Sequence, residues 1–294
     1  DGDKIRFRQG TPEKIGGWAQ ISSATFQGVC RSLHNWVTLG GQNLIGVGTH
    51  LKFFIENVGN YNDITPLRST VSLSNPFTTT SGSAVVTITD ANGGYTDGDF
   101  VTFSNATAVG GLTIDGEFAV SLSVTTAANS YNITASSNAT SSATGGGTVS
   151  AAYQLNVGNA FAVPITGWGA ATWGQGAWGV GESSISAIRF WTQSNFGEDL
   201  VFGNNGGSIY YWDATDGVTT RAVELSTLSG ASDVPLLQNL ILVSDISRFV
   251  FCFGTNSIGT SFIDPTLLRW SDQEDAANWT PSATNQAGSL RLSR

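Results

Sequence analysis

Leu200-Val-Phe-Gly-Asn-Asn-Gly-Gly-Ser-Ile-Tyr-Tyr-Trp-Asp213 decides the fold class. Two short runs of branched and aromatic residues flank a Gly/Asn cluster that can take positive φ at little steric cost. That is the signature of an antiparallel hairpin. The pattern spreads to both sides: Ile188 to Thr192 lies upstream, and Leu237 to Ser244, Phe249 to Phe253 and Leu267 to Trp270 lie downstream, with turns at Asp213 to Gly217 and Gly254 to Asn256. No stretch shows a 3.6-residue apolar period, and Ser271 to Asn278 is expected to form one helical turn at most behind a serine cap. Short, closely spaced strands predict antiparallel blades rather than a parallel α/β sheet.

The opening segment has the same style. Lys4-Ile-Arg-Phe-Arg8 alternates basic and apolar residues, and two strand-like runs, Cys30 to Leu39 and Asn43 to Ile55, are separated by the hairpin signal Gly40-Gly41. Between Thr70 and about Val157 the composition shifts to Ser, Thr, Ala, Asn and Gly, yet period-two runs persist at Ala84 to Thr89, Phe100 to Phe103, Glu117 to Leu122, Ser130 to Thr134 and Val149 to Leu155. Such regular alternation predicts a small separate barrel or sandwich of five to six strands rather than a disordered linker. The expected class is all-β: an antiparallel, β-propeller-like body at residues 1–70 and 158–294, with a small β-barrel inserted at residues 71–157. A chain that holds only some of the blades leaves open sheet edges for another part to cover.

Composition narrows function by exclusion. Charged residues are 12% of the 294, glycine contributes 36, and apolar residues at 40% suffice for a core. The net charge of −9, with scattered Lys and Arg, disfavours tight nucleic-acid binding. No apolar run approaches the roughly 18 residues of a membrane span, so membrane insertion is not expected. Cys30 and Cys252 form no metal motif and read as two buried thiols. The absence of methionine and the abrupt stop at Arg294 suggest a piece of a longer chain, whose downstream part could stay bound after cleavage.

Gly167 to Gly179 places Trp168, Trp173 and Trp178 five residues apart, a spacing that fits neither helix nor strand. Glycine on almost every side argues for a sharply turned ribbon anchored by its indoles, each able to bury on the order of 150–250 Å². Standing where the inserted segment ends and the aromatic strands resume, these tryptophans are the expected inter-domain or subunit interface.

Catalytic signals are weak. His34 and His50 lack partners at a recognisable spacing and read as structural. Glu198-Asp199 and the Asp272, Glu274, Asp275 group read as solvated turns, since sequence neighbours do not supply the two carboxylates facing across a cleft that glycoside hydrolysis needs. Trp270 to Trp279 faintly echoes the Asp-box turn of sialidase-type propellers, without its glycine. Gly40-Gly41 and Gly46-Val-Gly48 lack a phosphate-loop spacing, and the sequons at Asn105, Asn132, Asn138 and Asn278 are expected by chance. No enzyme and no cofactor are expected.

Two motif sets point to a family. Asp97-Gly-Asp-Phe-Val-Thr-Phe103 with Gly110-Gly-Leu-Thr-Ile-Asp-Gly-Glu-Phe118 resembles the small β-barrel first described as the first catalytic cysteine half-domain of ubiquitin-activating enzymes, a module that recurs in phage structural proteins. The segment has no cysteine, so no thioester chemistry carries over. Lys4 to Trp18, Trp168 to Gly179, Asn195 to Leu200, Tyr210 to Asp213 and Asp264 to Pro281 resemble tail proteins of tailed bacteriophages, of the nozzle or hub type. The resemblance implies a virion structural protein of the phage tail, part of a homo-oligomeric ring of six copies around the DNA channel. It would retain and deliver the genome, contact adaptor and fibre proteins, and pass DNA without sequence-specific binding. A net negative charge suits a conduit that must not grip DNA. The alternative is a carbohydrate-binding adhesin or receptor-binding tail module whose exposed tryptophans stack on sugars. A hydrolase acting on host surface polymers is the weakest of the three readings.

Overall fold

In the computed structural model, residues 5–14, 23–91, 95, 97–122, 129–157 and 190–292 are described. The tryptophan ribbon, with Trp168, Trp173 and Trp178, lies outside them. The described chain is all-β, and every pairing between its named strands is antiparallel. A hairpin of β1 (Ile5–Arg8) and β2 (Thr11–Lys14) stands first. A four-stranded meander follows: β3 (Cys30–Val37), β4 (Asn43–Thr49), β5 (Phe53–Asn57) and β6 (Asn60–Asp63). The Gly40-Gly41 turn closes between β3 and β4, with the Gly41 N–H donating to the Thr38 carbonyl and Gly41 at φ 78°.

Eight strands come next. In order they are β7 (Leu67–Ser74), β8 (Phe77–Thr79), β9 (Val85–Thr89), β10 (Phe100–Ser104), β11 (Gly116–Ala119), β12 (Ser130–Thr134), β13 (Ala143–Gly145) and β14 (Thr148–Gln154). They form two sheets, ordered β11-β10-β14-β7 and β12-β9-β8-β13. The barrel expected for this segment is therefore an open sandwich of eight strands. At one margin a single bridge, Ser121 to Asn132, joins the sheets. At the other, the chain itself crosses between layers at Asn75-Pro76 and at Gly146-Gly147, where the Asn75 amide donates to the Gly147 carbonyl (2.7 Å). Phe77, Val86, Ile88, Val101, Phe103, Tyr131, Val149 and Tyr153 fill the space between the layers.

Two further meanders complete the chain. The second is β15 (Trp191–Phe196), β16 (Asp199–Asn204), β17 (Tyr210–Trp212) and β18 (Val223–Glu224). The third is β19 (Leu240–Val243), β20 (Val250–Asn256), β21 (Ile263–Trp270) and β22 (Gly288–Arg291). Residues 271–278 form no helix; Asp272 and Asp275 bridge across a tight turn instead.

The three meanders stack face on face, and the alternation along β15 shows how. Its odd positions meet the first sheet: Trp191 Nε1 donates to the Thr49 carbonyl (2.7 Å), Gln193 Nε2 to Ser32 Oγ (2.8 Å), and Asn195 Oδ1 lies 3.2 Å from His34 Nε2. Its even positions meet the third sheet, where Thr192 Oγ1 and Ser194 Oγ accept from the Ile241 and Val243 amides. One strand thus faces two neighbours because successive side chains point to opposite faces. The first seam packs Trp36, Leu44, Phe53 and Ile55 against Trp191, Leu200, Phe202 and Trp212, with the Phe53 and Phe202 rings stacked 4.1 Å apart. The second seam packs Val201, Ile209 and Leu225 against Ile241, Val250, Cys252 and Trp279.

Candidate functional site

Close approach in the first seam depends on missing side chains. A Cβ on Gly48 would lie 2.5 Å from Trp191 Cδ1, and one on Gly46 would overlap Gln193 Oε1. The Gly46-Val-Gly48 pair, which lacks the spacing of a phosphate loop, is therefore a slot that admits Trp191 and Gln193. Glu198 adds a latch at one end of the seam. Its carbonyl accepts from Trp36 Nε1 (2.8 Å) and its carboxylate from the Leu39 amide.

The sandwich is joined to the body by charge. Lys52, between Leu51 and Phe53, is 3% exposed, and its ammonium reaches Asp63 Oδ2 at 2.8 Å and Glu117 Oε2 at 2.5 Å. Arg221, from the second sheet's loop, reaches Asp63 at 3.1 Å and the Thr65 carbonyl at 2.7 Å. Two cations and two carboxylates from three parts of the molecule meet here, so each buried charge has an opposite. Burial alone would raise the Asp63 carboxyl, but Lys52 and Arg221 outweigh it and hold the group below its ordinary value. Nearby, the Gln154 amide donates to the Leu51 carbonyl (2.9 Å), and Asn156 Nδ2 to Asp99 Oδ1 (2.8 Å). This junction escaped the sequence reading because its members lie far apart in the chain. The one available signal was a lone lysine in an apolar strand, which burial obliges to find partners.

The titratable groups singled out in the sequence resolve into structural roles. His34 stacks on Trp36, and His50 Nδ1 accepts from the Val29 amide (2.9 Å). Burial, then the charge of Arg31, push His50 below its usual pKa. Asp199 accepts from the Tyr211 hydroxyl and from the Ala214 amide. Asp272 Oδ1 accepts from the Gln273 and Gln286 amides, and Asp275 Oδ1 from Ala277. Cys30 and Cys252 are both free; Cys252 is buried and its thiol is pushed up by that burial, whereas Cys30 is only partly covered. Among the described residues no group of three His, Cys, Asp or Glu side chains is placed to hold a metal ion.

The two larger clefts that carry polar groups lie in the body. One of about 580 Å³ lies among the three sheets, lined by Glu198, Asp199, Asp245 and Arg248, with Val37 and Leu39 at its rim. Glu198 and Asp199 are both committed to internal hydrogen bonds there. The other, of about 440 Å³, touches Arg269, whose guanidinium donates to the Asn256 and Asp233 carbonyls and lies over the Trp279 ring. That is the arrangement of a clamp between the end of β20 and two loops rather than of a group presented to a ligand.

Among the described residues, one face of the third sheet carries a row of partly exposed apolar side chains. Residues Leu240, Phe253, Leu268 and Leu290 stand side by side across all four strands of the third sheet. Beside them run Leu242, Phe251 and Trp270, whose ring covers Gly288. Leu240, Leu242 and Leu290 are 46%, 50% and 53% exposed. Side by side on one face, they make an apolar patch rather than scattered single residues.

The molecule so described is an all-β protein of stacked four-stranded sheets carrying an inserted sandwich. Neither a protein-family model nor a curated protein matches it. Among solved structures, the chain "Phage phi92 endosialidase" aligns over 96% of this chain at 15% identity, with a TM-score of 0.26. The aligned region spans 40% of that chain.

Proposed function

We propose that this chain is a structural component of a bacteriophage tail, a virion protein that forms part of a ring of the nozzle or hub type around the DNA channel. The observation that carries the reading is the stack itself, three sheets deep among the described residues and ending on a half-exposed apolar face that assembly would bury. The tail-protein motifs around Asn195 to Leu200 and Asp264 to Pro281 support it, as does the net charge of −9. On this reading the work is mechanical: six copies continue the channel, retain the genome and open on infection, alongside adaptor and fibre proteins. DNA passes without sequence-specific contacts, and no catalysis or cofactor is involved. Residues 71–157 act as an inserted domain between the body segments 1–70 and 158–294, and Trp168, Trp173 and Trp178 lie at the interface. Negative-stain imaging of the purified assembly tests the reading: a ring with a central channel is expected, and particles without a channel would refute it. A glycan array separates the adhesin alternative, which requires saturable sugar binding lost in Trp173→Ala.

A further inference from the structure

The two internal seams obey one rule. Each sheet turns one face to the preceding sheet and the opposite face to the following one, with first strands side by side. Continued at either end, the rule leaves two surfaces. On the third sheet it is the ladder of Leu240, Leu242, Phe251, Phe253, Leu268 and Trp270 described above. On the first sheet it is the face away from the seam. There Phe26 covers Phe54 and Tyr61, but among the described residues the half over β3 is less covered, with Leu33 at 68% exposure.

We propose that the open face of the third sheet docks on the open half of the first sheet of a second copy of this chain. The contact continues a packing mode that the molecule already uses twice, so the occupant needs no chemistry that this chain does not itself present. Because the two surfaces differ, the contact is heterologous, and repetition closes into a ring when the rotation per copy allows. The inference rests on the ring reading above and names the surfaces that build it.

Light scattering and sedimentation velocity on the full chain test it, with Leu242→Asp and Leu33→Asp as variants at exposed positions and near-ultraviolet dichroism as the folding control. The wild type is expected to associate as concentration rises, and each variant alone to associate at least about tenfold more weakly. Mixing the two variants gives the decisive result. Leu33→Asp keeps an intact third-sheet face and Leu242→Asp an intact first-sheet face, so the mixture should form a one-to-one dimer that goes no further. A Leu33→Asp protein that still dimerises by itself would overturn the head-to-tail contact in favour of pairing between third sheets. A wild type that stays monomeric at its highest soluble concentration would overturn it as well. If rings form and both variants still enter them, these surfaces are wrong while the ring reading stands. If Leu242→Asp does not fold, Leu240→Asp serves in its place.

Discussion

The inserted sandwich and the stacked body use the same kind of strand to opposite ends. In the sandwich both sheets turn their apolar faces inward, so one enclosed core serves eight strands. The two tyrosines buried in that core are paired within it: the Tyr131 and Tyr153 hydroxyls lie 2.8 Å apart, and Tyr153 donates to Asp90. In the body each sheet is apolar on both faces and the cores lie between sheets, so a stack of three must end on apolar surface. A sandwich is complete with two layers, whereas a stack is complete only when it closes on itself or on a neighbour. That difference is why the open face belongs to the body and not to the insertion.

The largest effect should come from breaking the sandwich from within. Phe77 is fully buried, with its ring edge-on to Phe103, and Phe77→Ala should cost about 4 kcal/mol. Denaturation followed separately by insertion and body probes should show the insertion melting early while the body's tryptophan signal persists. Coincident loss of both signals would mean that the two regions are one cooperative unit.

The charged junction comes next. Lys52→Met leaves two carboxylates facing each other beside Arg221 and should destabilise the protein by about 3 kcal/mol. Asp63, held below its unfolded value, stabilises the fold fully above the ordinary carboxylate range near pH 4 and loses that contribution as pH falls through its folded value. Unfolding midpoints measured from pH 6 down to about pH 2 should therefore fall less steeply in Asp63→Asn than in the wild type. Equal slopes would remove Asp63 from the acid response.

A smaller effect belongs to the seam between the first and second sheets. Gly48→Ala drives a methyl group into Trp191 and should cost about 2 kcal/mol, read as a lower unfolding midpoint with a shifted tryptophan emission. Gly41→Ala, with open space around it but φ at 78°, should cost only about 1 kcal/mol and leave the emission unchanged.

Much of this architecture was legible in the chain. The Gly40-Gly41 hairpin, the strand at Ser130–Thr134 and the run through Leu200–Phe202 all follow from local alternation and turn residues. The two short strands Phe77–Thr79 and Ala143–Gly145 were not, because three residues cannot display a period. Whether the insertion closes into a barrel was equally hidden, being set by pairings such as Val149 with Leu73 that span most of the segment. The candidate site was the least legible part. Gly46 and Gly48 acquire meaning only from Trp191 and Gln193, and Lys52 only from Asp63 and Glu117. Alternation in Leu240-Ile-Leu-Val243 could not say that one face would be covered and the other left bare, since both are apolar.

Amide hydrogen exchange, followed strand by strand at low and high protein concentration, tests the central claim most directly. The account predicts that the sandwich strands, including those at Val85–Thr89 and Ser130–Thr134, exchange at the same rate in both conditions. It predicts that the third sheet, from Leu240–Val243 to Gly288–Arg291, gains protection as copies associate. A third sheet that exchanges alike in dilute and concentrated samples would contradict it.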